Sequence, residues 1–276
     1  MPTVSKRALF SGEMLFMLAN KTQCQINSFI IKTKNGKIIV IDGGTRGDAE
    51  HLAGYIKSNG SRADAWFLTH YHWDHAGVLA SVLDDERLSG QIKIEKIYYN
   101  FLPKKHMEKY ESGRIWQMDI YDILDRVAES KKIILKRGDI FDFDGVKIEA
   151  MSEPDKNITE NAGNNSSVVL RVCIADKILM FLGDLGIEAG ETLLKNYAFN
   201  KEKLRADIAQ MAHHGSNGCG REVYEAINAE ICLWNAPDWL WENKNDGCAI
   251  EQTKVWAKET GAKEHYVIKD GDWIFM

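Results

Sequence analysis

Thr69-His70-Tyr71-His72-Trp73-Asp74-His75 sets four metal-capable side chains, His70, His72, Asp74 and His75, within six residues. The whole chain of 276 residues has eight histidines, so chance placement on a surface is a poor account of three in one window. In front of them Ala65 to Leu68 reads as a short strand, and behind them Ala76 to Leu83 reads as a helix. Alternate residues of an extended loop share one side, which directs His70, His72 and Asp74 into one cavity, with His75 turning in as the helix begins. Imidazole nitrogen and carboxylate oxygen both bind zinc at about 2.0–2.2 Å. Four donors so close crowd a single ion, and two neighbouring ions are the easier geometry.

Further donors stand at the ends of apolar runs, where strands give way to loops and function concentrates. Asp184 follows Ile178-Leu179-Met180-Phe181-Leu182-Gly183, a run apolar enough to be buried, and its two oxygens suit a bridge between two cations. Asp42 closes Ile38-Ile39-Val40-Ile41 in the same way, with a simple turn role before Gly43-Gly44 as the competing reading. Ala209-Gln210-Met211-Ala212 runs into His213-His214-Gly215-Ser216, which offers one more imidazole ligand from either histidine.

Working outward, Ile26 to Thr33 and Lys37 to Ile41 form a strand pair whose Asn35-Gly36 corner predicts a tight hairpin with positive φ angles. Asp48 to Ser58 reads as a helix with Leu52, Tyr55 and Ile56 on one face, and Ile92 to Tyr99 as a strand. The polar, helical middle from Lys104 to Ser130 offers Ile115, Met118, Tyr121, Ile123, Leu124 and Val127 for burial. The strand pattern returns from Ile133 onward, most clearly at Val146 to Met151, Ser167 to Ile174 and Ile178 to Leu182, with Asp207 to Ala212 and Ile231 to Trp234 as further strands. A helix near Glu251 to Thr260 precedes two terminal strands, Glu264 to Ile268 and Asp272 to Phe275. Strands outnumber helices while helices recur throughout, which predicts an α/β (α+β) layered fold of two sheets with outer helices. With 45% apolar residues and no linker or repeat, residues 1–276 read as one domain.

A net charge of −5 argues against a protein that coats nucleic acid. Five scattered cysteines, odd in number and without C-x-x-C, argue against a disulfide framework or a cysteine zinc site and fit reduced thiols in the cytoplasm. No run reaches the eighteen or so apolar residues of a membrane helix, and Met14 to Ala19 is too short for a signal-peptide core, so no membrane insertion is expected. The aromatic tract Trp234-Asn235-Ala236-Pro237-Asp238-Trp239-Leu240-Trp241 reads first as packing and second as the lining of a substrate mouth.

Taken in order, strand-Asp42-Gly43-Gly44, His70-x-His72-x-Asp74-His75, Gly183-Asp184 and a late histidine resemble the metallo-β-lactamase superfamily. Gly163-Asn164-Asn165-Ser166-Ser167 and His213-His214-Gly215-Ser216 further resemble its ComEC-like and phosphorylcholine-esterase branch. The resemblance implies a four-layer αββα sandwich with the site along one edge of the paired sheets. It implies a first metal on His70 and His72, and a second on Asp74, His75 and one of His213 and His214, with Asp184 bridging. Asp42 would then orient histidines by hydrogen bonding. Many members carry a further histidine where this chain has Asn164-Asn165-Ser166, so the first metal is left one protein ligand short, with asparagine, water or substrate to fill the gap.

The expected chemistry is hydrolysis by an enzyme with two divalent ions, zinc by default and manganese or iron compatible. A carboxylate-bridged pair of ions traps water whose pKa falls from 15.7 to about 7, and the hydroxide so formed attacks the substrate. Asp74 and Asp184 are the catalytic candidates, and Asn164 and Asn165 stand with Asp42 as residues beside metal or substrate. The branch resemblance points to a small-molecule or envelope-derived phosphoester, in particular a phosphodiester. The alternatives are a nuclease, a lactam, thioester or lactone hydrolase of the same fold, and a metal-binding module without catalysis.

Overall fold

The computed structural model describes residues 3–244 and 247–276. Strands β1 (Val4–Arg7), β2 (Met14–Met17), β3 (Ser28–Lys32) and β4 (Ile38–Asp42) lead into helix α1 (Ala49–Ser58). A short β5 (Arg62–Ala63) and β6 (Ala65–Phe67) precede helix α2 (Trp73–Asp84), which is followed by β7 (Lys93–Ile94), β8 (Ile97–Tyr99) and β9 (Lys132–Ile134). The second half supplies β10 (Ile140–Phe143), β11 (Val146–Ala150), β12 (Leu170–Ile174), β13 (Lys177–Phe181), β14 (Ile208–Gln210), β15 (Ile231–Trp234), β16 (Glu264–Val267) and β17 (Asp272–Phe275).

Two large sheets result, one ordered β1-β17-β2-β3-β4-β6-β8-β9 and the other β10-β11-β12-β13-β14-β15-β16, with β5 and β7 as a separate ribbon. The period-two alternation of each strand decides which layer it packs. In β4, Ile39 and Ile41 enter the core between the sheets while Ile38 and Val40 meet α1 and α2. In β13, Leu179 and Phe181 enter that same inter-sheet core, while Met180 faces the helices 187–196 and 221–227 on the other outside. Phe29 of β3 meets Phe181 edge to face across the gap, ring centroids 4.9 Å apart. Covered on both faces, these strands need apolar residues at every position, which is why they read as continuous runs rather than alternations. The four layers are helix, sheet, sheet, helix, as expected.

Several local readings change. Thr33 N–H donates to Lys37 O and Gly36 N–H to Thr33 O, so the turn centres on Lys34-Asn35 and Gly36 alone takes a positive φ, 89°. Ile92 to Tyr99 splits into β7 and β8, which pair with different partners. Met14 to Ala19, read as an apolar run, contains β2, while β1 was not legible and β10 was not singled out within the strand-like region after Ile133. Of the apolar residues offered for burial in the middle segment, Met118, Ile123 and Leu124 are buried, whereas Ile115 is exposed on a 3-10 segment, Ser112–Gln117. The aromatic tract packs: Trp234 is buried, Trp241 meets it edge-on at 5.3 Å, and Trp239 Nε1 donates to Gln23 O.

β17 returns from the C-terminus to lie between β1 and β2, and buried Asp272 anchors it. Its carboxylate accepts from Ala19 N (2.8 Å) and Tyr55 OH (2.9 Å), faces His51 Nε2 at 3.0 Å, and lies 3.6 Å from Lys21 Nζ. Burial resists ionisation, but the His51 contact, the Ala19 N–H and the charges of His51 and Lys21 outweigh it and lower the Asp272 pKa. A depressed native pKa adds stability that is present above the unfolded value, near 3.9, and is lost as pH falls through the native one. Asp272→Ala is expected to cost about 3 kcal/mol at pH 7, read from urea unfolding. The gap from wild type should narrow below about pH 3.9; a gap constant with pH would refute the ionic role.

Candidate metal centre

Parallel pairing of β4 with β6 and of β13 with β14 brings the carboxyl ends of all four strands to one edge of the sandwich. Asp42 ends β4, Thr69 to His75 follow β6, Asp184 follows β13, and His213-His214 follow β14. A tight turn after β13 makes this possible. Gly183 has φ 57°, and a Cβ there would lie 2.8 Å from the Thr69 side chain. Gln210 locks that turn by accepting from Leu182 N and Gly183 N, both at 2.8 Å.

Asp42 is fully buried and accepts from four donors, the Thr69 hydroxyl lying within reach of both of its oxygens. Its Oδ1 takes Thr69 N (2.7 Å) and Thr69 Oγ1 (3.1 Å); its Oδ2 takes Asn27 Nδ2 (2.7 Å), Thr69 Oγ1 (2.9 Å) and His75 Nδ1 (2.8 Å). With Nδ1–H donated to Asp42, the His75 Nε2 atom faces the cluster, 3.0 Å from Asp184 Oδ1. His214 is set in the same manner: Nδ1 faces Asn235 O at 3.2 Å, leaving Nε2 3.3 Å from Asp74 Oδ2 and 3.7 Å from Asp184 Oδ1. On the other side of Asp184, Oδ2 lies 3.7 Å from His70 Nε2 and 3.8 Å from His213 Nε2.

The donors therefore fall into two groups, Asp74, His75, Asp184 and His214 in one, and His70, His72 and Asp184 in the other, with all donor atoms of a group within 4.8 Å of one another. All of these residues are buried. The extended-loop expectation for Asp74 needs correction. α2 starts at Trp73, so Asp74 and His75 lie in its first turn, and Asp74 joins His75 and His214 rather than His70 and His72.

Electrostatics agree with a cation site. Burial, with the charge of His75 beside it, pushes the His70 pKa down to about 3, and burial and His70 push His72 well below its ordinary value. Burial also opposes charge on His75, but the Asp184 and Asp42 carboxylates overcome it and raise its pKa well above normal. Burial resists ionisation of Asp74, yet the His214 imidazole close beside it and the charge of His75 hold its pKa below normal. Burial likewise resists ionisation of Asp184, and the charges of His75, His214 and His213 lower its pKa well below the usual range. His70 Nε2, His75 Nε2, His214 Nε2 and Asp184 Oδ1 are buried and lack a hydrogen-bond partner. Unpaired buried donors and acceptors cost free energy, and divalent cations satisfy this set. The buried His/Asp cluster can hold two metal ions.

Asn164 is buried beside His213, its Nδ2 3.4 Å from His213 Nε2. Asn165 instead turns away: its amide donates to Glu160 O and Glu188 Oε2 and accepts from Ala189 N, pinning the helix 187–196. The sequence reading passed over Thr69, Asn27, Ser167, Gly163, Glu111 and Arg114. Ser167 Oγ accepts from Asp184 N at 3.0 Å. Gly163 is required by close approach, since a Cβ there would meet His72 Nε2 at 2.3 Å. Arg114 Nη1 lies 3.2 Å from His72 Nε2, at the exposed rim, and its Nε is 3.8 Å from Glu111, whose Oε1 accepts from Gly163 N. Thr69, Gly163 and Ser167 stood in the quoted motifs without a role of their own; the approach of Asn27, Glu111 and Arg114 depends on the tertiary fold.

The metallo-beta-lactamase superfamily model matches residues 22–218. Solved structures similar to the chain include the metallo-beta-lactamase fold protein YhfI from Bacillus subtilis, at 12% identity and TM-score 0.58, covering 95% of this chain and 99% of that one. Igni18, a metallo hydrolase from Ignicoccus hospitalis, matches at 14% identity and TM-score 0.52, covering 96% and 99%. CmlA, a diiron beta-hydroxylase from Streptomyces venezuelae, matches at 9% identity and TM-score 0.56, covering 92% of this chain and 52% of that one. At these identities the likeness is one of fold. No curated protein matches the chain.

Asp42 provides a test that leaves every candidate ligand in place. Asp42→Asn is expected to weaken zinc binding by about 10- to 100-fold, measured by competition with a chromophoric chelator. Unchanged affinity would mean that packing alone orients His75.

Proposed function

The chain belongs to the metallo-beta-lactamase superfamily, and on that premise we propose that it is a binuclear metal-dependent hydrolase of phosphoesters, with phosphodiesters as its substrate class. One observation carries the reading: the two carboxylate oxygens of Asp184 face different donor groups, Oδ1 toward His75 and His214 and Oδ2 toward His70 and His213. Asp74, His75 and His214 would hold one ion, His70 and His72 the other, and Asp184 both. Zinc suits this histidine-rich set. Divalent ions held there supply Lewis acidity, polarising a phosphoryl oxygen and making water acidic enough to act as a nucleophile near neutral pH.

The chain's own groups do the positioning. Asp42 holds His75 by its Nδ1–H and Asn235 O faces His214 Nδ1, so both rings present Nε2 inward. Arg114, at the rim beside His72, offers a guanidinium to an anionic phosphoryl oxygen, a geometry for which arginine is well suited. That cation favours a phosphoester over a neutral lactam or lactone. The ComEC-like and phosphorylcholine-esterase motifs, Gly163 to Ser167 and His213 to Ser216, support the same choice. A small-molecule or envelope-derived phosphoester agrees with the net charge of −5, which disfavours a polyanionic strand. Five free cysteines fit a reducing compartment, and we place the enzyme in the cytoplasm as a single domain. Among the described residues no helix is long and apolar enough to cross a membrane.

Bis(p-nitrophenyl) phosphate tests the reading. Wild-type protein should cleave it, lose activity to a chelator and regain it with zinc or manganese, while Asp184→Asn should fall by at least about 100-fold. Arg114→Ala should lower kcat/KM by about 10- to 100-fold, the worth of a charge-assisted hydrogen bond, without changing metal content. Two bound metals without phosphodiester cleavage would move the substrate to another ester or amide.

A further inference from the structure

We propose that His213 is the missing ligand on the Asp184 Oδ2 side, completing with His70, His72 and Asp184 a second four-donor set. The proposal rests on the binuclear reading above. The two donor groups are unequal as they stand, four residues on the Oδ1 side and three on the other. The shortfall coincides with Asn164-Asn165-Ser166, where the sequence offers no imidazole.

His213 is placed to supply one. Its Nε2 lies 3.8 Å from Asp184 Oδ2, matching the 3.7 Å of His70 Nε2 from the same oxygen. Ligand atoms around a tetrahedral zinc stand about 3.3 Å apart at ordinary bond lengths; His213 stands outside the 4.8 Å group of His70, His72 and Asp184, so its imidazole must move inward to close the set. The Asn164 amide reaches His213 Nε2 through its Nδ2 at 3.4 Å, which makes Nε2 the acceptor and leaves the lone pair there, as a metal ligand requires. At that length the bond is weak and readily exchanged for a stronger one. His213 Nδ1 is buried and without a partner.

The backbone points the same way. His213 (φ 50°, ψ 49°) and His214 (φ 57°, ψ 17°) are consecutive left-handed residues, a conformation that costs a non-glycine residue roughly 1–2 kcal/mol. Its effect is to splay two neighbouring imidazoles onto opposite oxygens of one carboxylate, His214 toward Oδ1 and His213 toward Oδ2. Strain retained for such a purpose is typical of functional sites. Partly exposed, His213 would set this ion at the more open side of the cluster.

The test is a cobalt titration of the full chain after metal removal, followed by visible absorbance. Wild type should take up two equivalents. His213→Asn, chosen because asparagine tolerates the left-handed backbone, should keep one equivalent and weaken the other at least about 10-fold. Adding Asn164→His places an imidazole on the facing wall and should restore the second equivalent. In wild-type protein loaded with cadmium, direct NMR coupling between the metal and the His213 imidazole nitrogen reads ligation without any variant. Two equivalents at wild-type affinity in His213→Asn, or no coupling at His213 in doubly loaded wild type, would overturn the proposal alone. Fewer than two equivalents in wild type would overturn the binuclear reading and this proposal with it.

Discussion

Three carboxylates, Asp42, Asp74 and Asp184, lie buried in one cluster and their ion-pair partners are histidines. Burying ionised carboxylates costs several kcal/mol each unless they are compensated, so their shared location sets demands on everything around them. The lowered pKa values of Asp74 and Asp184 express that compensation, as does the raised value of His75 between two carboxylates. Metal ions would replace a protonated imidazole as the source of positive charge, freeing Nε2 to bind.

The sandwich meets these demands by its topology. Each donor stands at or just beyond the carboxyl end of a central strand, and in β4 and β6 Ile39, Val40, Ile41, Ala65, Trp66 and Phe67 are fully inaccessible. Close packing holds the strand ends in place, because tightly packed interiors have few alternative arrangements. Loops then need only short reaches: none for Asp42, which ends β4, three residues beyond β6 for His70, three beyond β13 for Asp184, and four beyond β14 for His214. Rigid elements close to the chemistry hold a site better than long loops do.

This explains what was legible in the sequence. Both-face burial writes itself as apolar runs, so β3, β4, β6, β12, β13 and β15 were readable, and donors next to such runs stood out. Asp42, His70, His72, Asp74, His75, Asp184 and the His213-His214 pair all lie in or beside the cluster. Edge strands such as β1 and β10 are short and half polar, with no period to betray them. Asn165 was indistinguishable from Asn164 by neighbourhood; only the packing of the helix 187–196 draws it away. The start of α2 was missed because Trp73, Asp74 and His75 carry site chemistry in place of a helix signature. Arg114 and Glu111 sit in a polar segment where many charges are solvated, and only tertiary contact separates those two from the rest.

The division of donors between the halves of the chain has an energetic consequence. His70, His72, Asp74 and His75 extend from the first sheet, whereas Asp184 and His214 extend from the second. Ions bound to both would clip the two sheets together at the edge where the inter-sheet core ends and polar residues begin. Because an unfolded chain does not preform such a site, the binding energy would also be folding energy. Asp184 is central to that coupling: it closes the second sheet's turn through Ser167 and meets the first sheet's histidines through both oxygens. With ions bound, a carboxylate in that position would make the assembly of the sandwich and of the metal site one event.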